Sequence, residues 1–479
     1  MEIIMERTFY HLRRQLLSHT LEGLISLKAR RTRTDSSSAT KDAYEIPKNP
    51  VCPEDFRPLE NSCFQNPYAF YKMIRDEHPV YQLPNGIYCI SRYEDIVKVS
   101  RDTDCFSSTH QGSIASLKKG QSIIQEGNKM HSLARLGLVP TDVMAVSDPP
   151  EHKTHRKVGH KGLNAHYVKS LEPELKERCQ KLMDEILAKG EFDFMHDFAW
   201  RFPLSVIIQL LGLPADDYEK IKTWCERILE TQSGISNPQS LAKSHIASLR
   251  FIRYCWKQFL KLKKQPEQNM TKLFAQFADD PESEFTDRLA ISLIFQLLMA
   301  GSDSSATSMG NAVKLLIENP DVQQQLRDDP EKITAFVEEV FRLETAFQGH
   351  FRWTKKDTEI QGVRLPKESR IFLMWASGNR DERFWDDPDL INLERKNGKK
   401  HLTFGHGIHA CIGRELARME IIMAIRMLLE RTENLSQAGE TPFVASMFAH
   451  TLLRLPISVT LKSEKHNNSN HRLKESAVA

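Results

Sequence analysis

Apolar residues recur every three or four positions over much of this chain, which is the spacing of amphipathic α-helices. Asn319-Pro320 ends one such stretch, because the residue before a proline disfavours helical backbone. Short runs of β-type residues predict a few strands. We therefore expect a fold that is mainly α with small β-sheets. The predicted helices are Asn66–Glu77, Leu171–Ala188, Leu204–Leu211, Asp287–Glu318, Pro330–Leu343 and Gly413–Arg431, and the strands are Gly86–Ser91, Ile371–Trp375 and Ile457–Leu461.

Residues 45–462 show no composition break and no internal repeat, so we predict a single domain there. Residues 1–44 are predicted to be a basic amphipathic arm and a small polar linker; within residues 1–33, leucines recur at helical spacing among seven Lys and Arg side chains. Such an arm could also be a membrane-surface helix or an organelle-targeting segment. Residues 463–479 lack periodicity and are predicted to be a disordered polar tail.

Composition changes this picture little. The 479 residues are 40% hydrophobic and 27% charged, as in globular proteins, and the net charge of +3 gives no reason to expect a nucleic-acid partner. The best apolar run, Leu289–Ala300, has twelve residues, whereas a membrane span needs about 18. The eight cysteines are scattered, with no CxxC pair. We expect a cytoplasmic monomer without a transmembrane anchor.

One of these cysteines has unusual neighbours. Residues 404–418 read FGHGIHACIGRELAR, a glycine-rich loop that places Cys411 just before a predicted helix. The N–H groups at a helix start stabilise a thiolate, and the glycines let the backbone approach a flat, bulky group. Spacing alone leaves alternatives open: a merely packed cysteine, a zinc site made with His406 and His409, or the Cys–His pair of a thiol hydrolase.

The same loop resembles the haem-binding loop of cytochromes P450, Phe-x-x-Gly-x-x-x-Cys-x-Gly, at Phe404, Gly407, Cys411 and Gly413. The histidine at 409 and Leu-Ala-Arg at 416–418 are similar to the soluble bacterial branch. The resemblance implies haem b, iron protoporphyrin IX, held between a long distal helix and the Cys loop with its proximal helix. It makes Cys411 the axial iron ligand and places Phe404 and Gly413 against the cofactor.

Two further segments are similar to the family. Asp148 to Arg156 reads DPPEHKTHR, which puts His152 and Arg156 on one helical face. By itself this is an ordinary surface helix start. The resemblance implies that both side chains hold haem propionates, together with Arg352 and His409.

Glu339 and Arg342 lie about 70 residues before the Cys loop, three apart on a predicted helix. A solvated pair is the default interpretation of such spacing. The resemblance implies a structural role instead, in which Arg395 locks the pair.

The longest predicted helix contains a polar interruption. Gly301 costs about 1 kcal/mol relative to Ala inside a helix, and the Asp and Ser residues after it compete for backbone hydrogen bonds. We expect either a polar kink or a dent over a cofactor. The segment resembles the Ala-Gly-x-Asp/Glu-Thr motif of the family at Ala300, Gly301, Asp303 and Ser304. This implies that Asp303 and Ser304 relay protons, with Ser in place of the commoner Thr.

The resemblance as a whole implies a monooxygenase that takes electrons from an external ferredoxin, docked near Arg414 and Arg418. Three alternatives remain: a peroxygenase or isomerase on the same fold, a haem sensor, and a zinc or thiol hydrolase. A sensor needs a protein ligand on the distal side, and no His or Met occurs at 300–305.

The substrate is expected to be an apolar small molecule such as a polyketide, terpenoid, steroid or fatty acid. By resemblance, its pocket draws on residues 107–140, Thr345–Phe351 and Ser446–Phe448. Aromatic side chains there favour an apolar ligand, although packing is the commoner reason for them. Thr109–Asp142 is predicted to be a mobile lid.

Overall fold

A computed structural model of the chain describes residues 14–26, 50, 52–110, 120–232 and 238–462. Its fold is mainly α-helical with small sheets, as the periodicity predicts. The helices after the N-terminal one (residues 14–26) are α1 Asn61–Gln65, α2 Tyr68–Glu77, α3 Tyr93–Arg101, α4 Ile123–Arg135, α5 Glu151–Gly162, α6 Ala165–Ser170, α7 Glu172–Leu187, α8 Arg201–Leu210, α9 Tyr218–Gln232, α10 Pro238–Leu262, α11 Met270–Asp279, α12 Asp287–Glu318, α13 Pro320–Asp328, α14 Ile333–Leu343, α15 Trp375–Gly378 and α16 Arg414–Arg431. The strands are β1 Val80–Gln82, β2 Ile87–Ile90, β3 Phe106–Ser107, β4 Glu191–Asp193, β5 His350–Thr354, β6 Thr358–Ile360, β7 Val363–Leu365, β8 Arg370–Leu373, β9 Thr432–Gln437 and β10 Pro456–Leu461.

The centre of the fold is α12, which packs against α8, α10, α14 and α16. Its start is capped by Thr286, whose side chain accepts a hydrogen bond from the backbone of Leu289. By length and hydropathy α12 could cross a membrane, but 72% of its most apolar window is buried inside the protein. Such burial is typical of a core helix.

A five-stranded sheet in the order β1-β2-β8-β5-β3 lies beside this helical core. Strand β8 pairs parallel to β2 and antiparallel to β5, which places Arg352 opposite Ile371. Smaller sheets are β4-β10-β9 and the β6-β7 hairpin. The large sheet matters for function because it fixes Arg352 at the edge of the site described below.

The predicted helices agree with the observed ones to within three residues at each end. The match is best for Asp287–Glu318, whose bounds are the same, because its caps are readable in the sequence. The long pair α9 and α10 lies outside the predicted set, although Ile252, Trp256 and Phe259 have helical spacing. These two helices pack on each other and cover part of α12.

Part of the predicted arm is packed on the domain. The N-terminal helix lies against α10, where the Arg14 guanidinium stacks over the Trp256 ring at 4.4 Å. Glu22 forms ion pairs with Arg250 at 2.6 Å and Arg253 at 2.5 Å. The remainder of the arm, the linker and the tail at 463–479 lie outside the described residues, and the domain limits of 45 and 462 stay a prediction.

Candidate active site

The loop before α16 holds Cys411 in a fixed position. The backbone N–H of Cys411 donates to the carbonyl of Phe404 at 2.7 Å, and residues Gly407–His409 form one turn of 3₁₀ helix. Gly407 has a φ of +71°, and a Cβ there would lie 2.4 Å from the backbone oxygen of Ser100. Only glycine therefore allows this loop to close onto the end of α3.

Opposing influences act on the cysteine. Burial raises the pKa of the Cys411 thiol, while the N–H of Gly413 and the charges of Arg156, Arg414 and Arg418 favour the thiolate. Burial has the larger effect, so the surroundings alone do not produce a free thiolate. A metal ion bound to the sulfur would do so, since a coordinating thiol loses its proton.

Beside the loop lies a cluster of buried cationic and imidazole groups. The rings of His152 on α5 and His409 in the Cys loop meet edge to face, with centroids 4.6 Å apart. Within the described residues, Nε2 of His152 and both ring nitrogens of His409 lack a hydrogen-bond partner although they are buried. An unsatisfied buried donor costs about 1–3 kcal/mol, so this cluster is suited to an acceptor from a ligand.

Two arginines complete the cluster. Arg352 is 4% exposed, and its guanidinium donates to the carbonyl of Phe351 at 2.6 Å. Arg156 donates to the carbonyl of Ala410, next to the cysteine, and to Nε2 of His160 at 3.1 Å. Burial, then the neighbouring guanidiniums, lower the pKa of His152 to about 4 and that of His409 to about 2. The imidazoles are therefore neutral donors beside two fixed positive charges, which favours a carboxylate ligand.

The polar segment of α12 does not end the helix. The helix runs from Asp287 to Glu318 as one element, and the kink or dent expected at Gly301 stays a prediction. The hydroxyls of Ser302 and Ser304 bond back to the carbonyls of Leu298 and Ala300, at 2.9 and 2.7 Å, and do not interrupt the helix. A Cβ at Gly301 would lie 2.8 Å from Cγ1 of Ile207, so its glycine is explained by close packing against α8.

Asp303 is the buried acid of this segment. It is 5% exposed, and burial, with a smaller contribution from the charge of Glu226 on α9, raises its pKa to about 7. Ser304 is half-buried, on the same side of α12 as Ala300, which is exposed although nearly all of the helix around it is buried. An acid that titrates near neutrality thus lies one residue from a hydroxyl on an accessible face of the core helix.

Glu339, Arg342 and Arg395 form one buried network. Arg342 donates two hydrogen bonds to Glu339, both of 2.8 Å, and Nε of Arg395 donates to the same carboxylate at 3.0 Å. Arg342 also donates to the carbonyls of Asn379 and Leu390. The network joins α14 to the segment before the Cys loop and does not contact Cys411.

A second buried ion-pair network lies beside this one, and the sequence patterns did not predict it. Glu338 accepts from Arg418 at 2.7 Å and contacts His401 at 3.0 Å, and despite burial these partners lower its pKa to about 2. Arg418 is thus committed to an internal ion pair, whereas the side chain of Arg414 is 52% exposed. The sequence does place Glu338 next to Glu339 on the same predicted helix, but no local spacing indicates that His401 is its partner.

The histidines near Cys411 do not assemble a metal site with it. Among the described residues, no group of three or more His, Cys, Asp and Glu side chains is placed to hold a metal ion. Nε2 of His406 instead contacts Arg101 at 3.2 Å, and His409 turns toward His152. This geometry argues against the zinc alternative.

Comparisons with known proteins agree with this geometry. A sequence model described as Cytochrome P450 matches residues 106–460. Cytochrome P450 144 of Mycobacterium tuberculosis is 30% identical over 397 residues, which cover 82% of this chain and 89% of that protein. The biotin biosynthesis cytochrome P450 of Bacillus subtilis is 26% identical, over 78% and 91% of the two chains. The crystal structure of P450BioI in complex with hexadec-9Z-enoic acid ligated acyl carrier protein aligns with a TM-score of 0.74 at 26% identity. The alignment covers 83% of this chain and 99% of that chain.

Fold and cysteine loop together define a haem-thiolate enzyme. This chain belongs to the cytochrome P450 family. It is a monooxygenase with haem b as its cofactor, acting in general on small molecules with electrons from a redox partner. The residues present fit that cofactor: a loop cysteine can ligate iron, and the unpartnered imidazoles with Arg352 can receive propionates.

Proposed function

We propose that this protein inserts one oxygen atom of O2 into a C–H bond or a C=C bond of an apolar small molecule, with electrons from a ferredoxin-type partner. The observation that carries the proposal is the set of buried imidazole nitrogens beside Cys411 that lack a hydrogen-bond partner in the part of the chain that the structure describes. Hydrolases that use a Cys–His pair have no need of such donors next to two guanidiniums. The set is explained by a dianionic, flat cofactor whose iron the cysteine binds.

In this proposal Cys411 would bind the haem iron, and His152, Arg156, Arg352 and His409 would hold the propionates. When bound, the haem supplies oxygen activation, which a thiolate ligand favours by donating electron density. Arg156 has a second task, because its bond to the Ala410 carbonyl ties α5 to the Cys loop. Phe404 packs against Phe341 at 4.7 Å and shapes the same loop, with Gly413 as the N-cap of α16.

Asp303 and Ser304 are proposed to move protons on the distal side. A carboxyl with a pKa of about 7 can both take and release a proton near neutral pH. The Ser304 hydroxyl bonds to Ala300 and, lacking a β-branch, can rotate to donate elsewhere. Gly301 acts by position, since its close contact with Ile207 holds this turn of α12 against α8.

Electrons would arrive on the cysteine side of the molecule. There the Cys loop meets the end of α3, where Arg101 contacts His406 at 3.2 Å and where Lys98 and Arg101 are exposed. Arg414, at the start of α16, is 52% exposed and has Glu415 beside it at 3.3 Å. This rim offers positive charge to an acidic ferredoxin. We further propose a cytoplasmic location, which the bacterial relatives support, and a monomeric state.

The substrate is proposed to be apolar and extended. The fatty acyl chain named for P450BioI supports that class. The predicted pocket residues Phe351, Met447 and Phe448 are buried in a packed apolar cluster, so we expect them to form the wall of a site and to contribute less to its specificity. The proposed lid Thr109–Asp142 is tied at its ends by His110 and Asp142, which lie 3.2 Å apart, and residues 111–119 are outside the described part.

The test compares two electron supplies. Purified holoenzyme is given fatty acids, terpenoids and steroids that change its iron spin state, either with ferredoxin, reductase and NADPH or with hydrogen peroxide alone. Product that depends on the ferredoxin chain supports the proposal. Efficient turnover with peroxide, and none with ferredoxin, would establish the alternative of a peroxygenase. Conversion without any oxidant or electron source would establish an isomerase.

A further inference from the structure

His350 begins strand β5 and lies on the same face of that strand as Arg352, because side chains two positions apart in a strand point to the same side. Phe351, between them, packs on the other face against Phe372, with ring centroids 5.0 Å apart. Burial, and then the charge of Arg352, lower the pKa of His350 to about 3, so its imidazole is neutral near pH 7. His350 therefore shares a face of the sheet with an arginine that we assign to the haem propionates.

A tryptophan fixes the tautomer of this imidazole. Nε1 of Trp375 donates a hydrogen bond to Nδ1 of His350 at 2.8 Å. Because an indole N–H can only donate, Nδ1 is the unprotonated nitrogen, and the neutral ring carries its proton on Nε2. Among the described residues, no second hydrogen bond to this ring accompanies the one at Nδ1. The ring therefore offers one N–H donor, whose direction is set by Trp375.

Aromatic side chains surround this donor. Phe347 and Phe448 meet the His350 ring edge to face, with centroids 5.7 and 5.3 Å away. Both phenylalanines belong to segments that are predicted to line the substrate pocket. Phe347 and His350 are half-buried, whereas every other residue from 341 to 354 is buried. A single accessible donor in an apolar wall is the kind of group that orients a bound molecule.

The neutrality of the ring determines which acceptor it suits. Enclosing a carboxylate among apolar side chains without a cation costs far more than enclosing a carbonyl group. Arg352, the cation on the same face of β5, is assigned to a propionate in the proposed function. An uncharged oxygen on an otherwise apolar molecule is therefore the acceptor that matches the Nε2–H of His350.

We propose that His350 determines substrate specificity by donating its Nε2–H to a carbonyl oxygen of the substrate. The substrate is then an apolar molecule that carries a ketone, ester or lactone group, and Trp375 is the positioning residue that orients the imidazole. The inference rests on the proposed function, because it places the substrate in the pocket predicted there. A haem propionate is the competing acceptor, and the experiment separates the two.

The experiment measures the binding of three pairs of probes that differ only in a carbonyl group. The pairs are cyclododecanone and cyclododecane, 2-tridecanone and tridecane, and 5α-androstan-3-one and 5α-androstane. Dissociation constants for the full-length holoenzyme come from equilibrium dialysis and from the change of iron spin state. Wild type should bind the ketone of at least one pair roughly tenfold more tightly than its hydrocarbon, which is the value of one hydrogen bond. His350→Phe should bind both members of that pair equally.

Two further variants test the role of the N–H group itself. His350→Gln keeps an N–H donor and should retain part of the preference for the ketone, which a loss of packing alone does not explain. Trp375→Phe removes the hydrogen bond to Nδ1 and should reduce the preference while leaving the affinity for the hydrocarbon unchanged. The matched control is His196→Phe, at a side chain that is 73% exposed, and it should bind like wild type.

The inference is overturned if wild type prefers none of the ketones, or if His350→Phe keeps the preference. It is also overturned if His350→Phe mainly loses haem, measured as haem content per chain, because Nε2 then binds a propionate. Ferredoxin-dependent turnover is measured in the same preparations. Wild type that turns over its ligands without distinguishing ketone from hydrocarbon overturns this inference alone, so its failure is separable from failure of the proposed function.

Discussion

At the residue scale, burial sets the protonation of two acids on facing helices. Asp303 on α12 has its pKa raised to about 7, and Glu420 on α16 has its pKa raised to about 8, in both cases mainly by burial. Glu420 is 1% exposed, and its Oε1 has no hydrogen-bond partner among the described residues. In the unfolded chain each carboxyl has a pKa of about 4. In the folded protein Asp303 stays protonated up to about pH 7 and Glu420 up to about pH 8. Folding is therefore favoured below pH 4 and loses this contribution as pH rises toward 7–8.

Asp303→Asn should remove part of this pH dependence. The variant should gain stability relative to wild type between pH 4 and pH 8, by about 4 kcal/mol at most for the shift of Asp303. Urea unfolding at both pH values measures the gain, and comparing the two pH values cancels any constant cost of burying the amide. A difference between variant and wild type that is the same at pH 4 and pH 8 would show that Asp303 does not titrate as described.

Ser304→Ala should lower the amount of product formed per electron pair and increase peroxide release, because it removes the hydroxyl next to Asp303. Ser304→Thr should retain coupling. The control is Ser308→Ala one turn later, whose hydroxyl bonds to the Ser304 carbonyl and is not assigned to the relay. Product and peroxide are measured together with NADPH consumption. Unchanged coupling in Ser304→Ala would assign the relay to Ser305 or to water alone.

At the element scale, α12 is held by contacts that its own pattern does not reveal. The glycine at 301 looks like a local weakness when the helix is considered alone, yet the neighbouring helix α8 requires it. A prediction from periodicity gives the bounds of α12 but cannot tell which helix approaches it. The same limit hid the pairing of Arg418 with Glu338, which lie 80 positions apart.

Gly301→Ala tests this packing. The new methyl group improves helix propensity by about 1 kcal/mol but should overpack against Ile207, for a net loss of up to about 2 kcal/mol. Adding Ile207→Ala should relieve the clash, so the double variant should be more stable than Ile207→Ala alone. Urea denaturation followed by circular dichroism measures both effects. Strict additivity of the two substitutions would mean that the two side chains do not meet.

In the network of Glu339, Arg342 and Arg395, the two arginines should contribute unequally to stability. Arg342→Met leaves Glu339 without its two-hydrogen-bond partner and should cost about 3–5 kcal/mol, as removal of one member of a buried ion pair does. Arg395→Met leaves that partner in place and should cost less. Unfolding in urea and the fraction of chains that retain haem give the two costs. The assignment would be contradicted by a larger loss in Arg395→Met than in Arg342→Met.

At the scale of the whole molecule, the sequence was informative where chemistry is local. The Cys loop, the α12 segment and the helix caps are contiguous motifs, so their elements and candidate residues could be predicted. Long-range contacts could not be, such as the His152–His409 ring contact or the docking of the N-terminal helix on α10. Those depend on tertiary packing, which a single sequence does not encode in its spacing.

The central claim is that Cys411 binds the haem iron as a thiolate. The most direct measurement is the difference spectrum of the dithionite-reduced protein with carbon monoxide, for wild type, Cys411→Ser and the control Cys179→Ser. Cys179 is buried on α7, away from the loop. We predict the strongly displaced Soret band of a thiolate ligand in wild type and in Cys179→Ser, and its loss in Cys411→Ser. Absence of that band in freshly purified wild type, or its persistence in Cys411→Ser, would contradict the account.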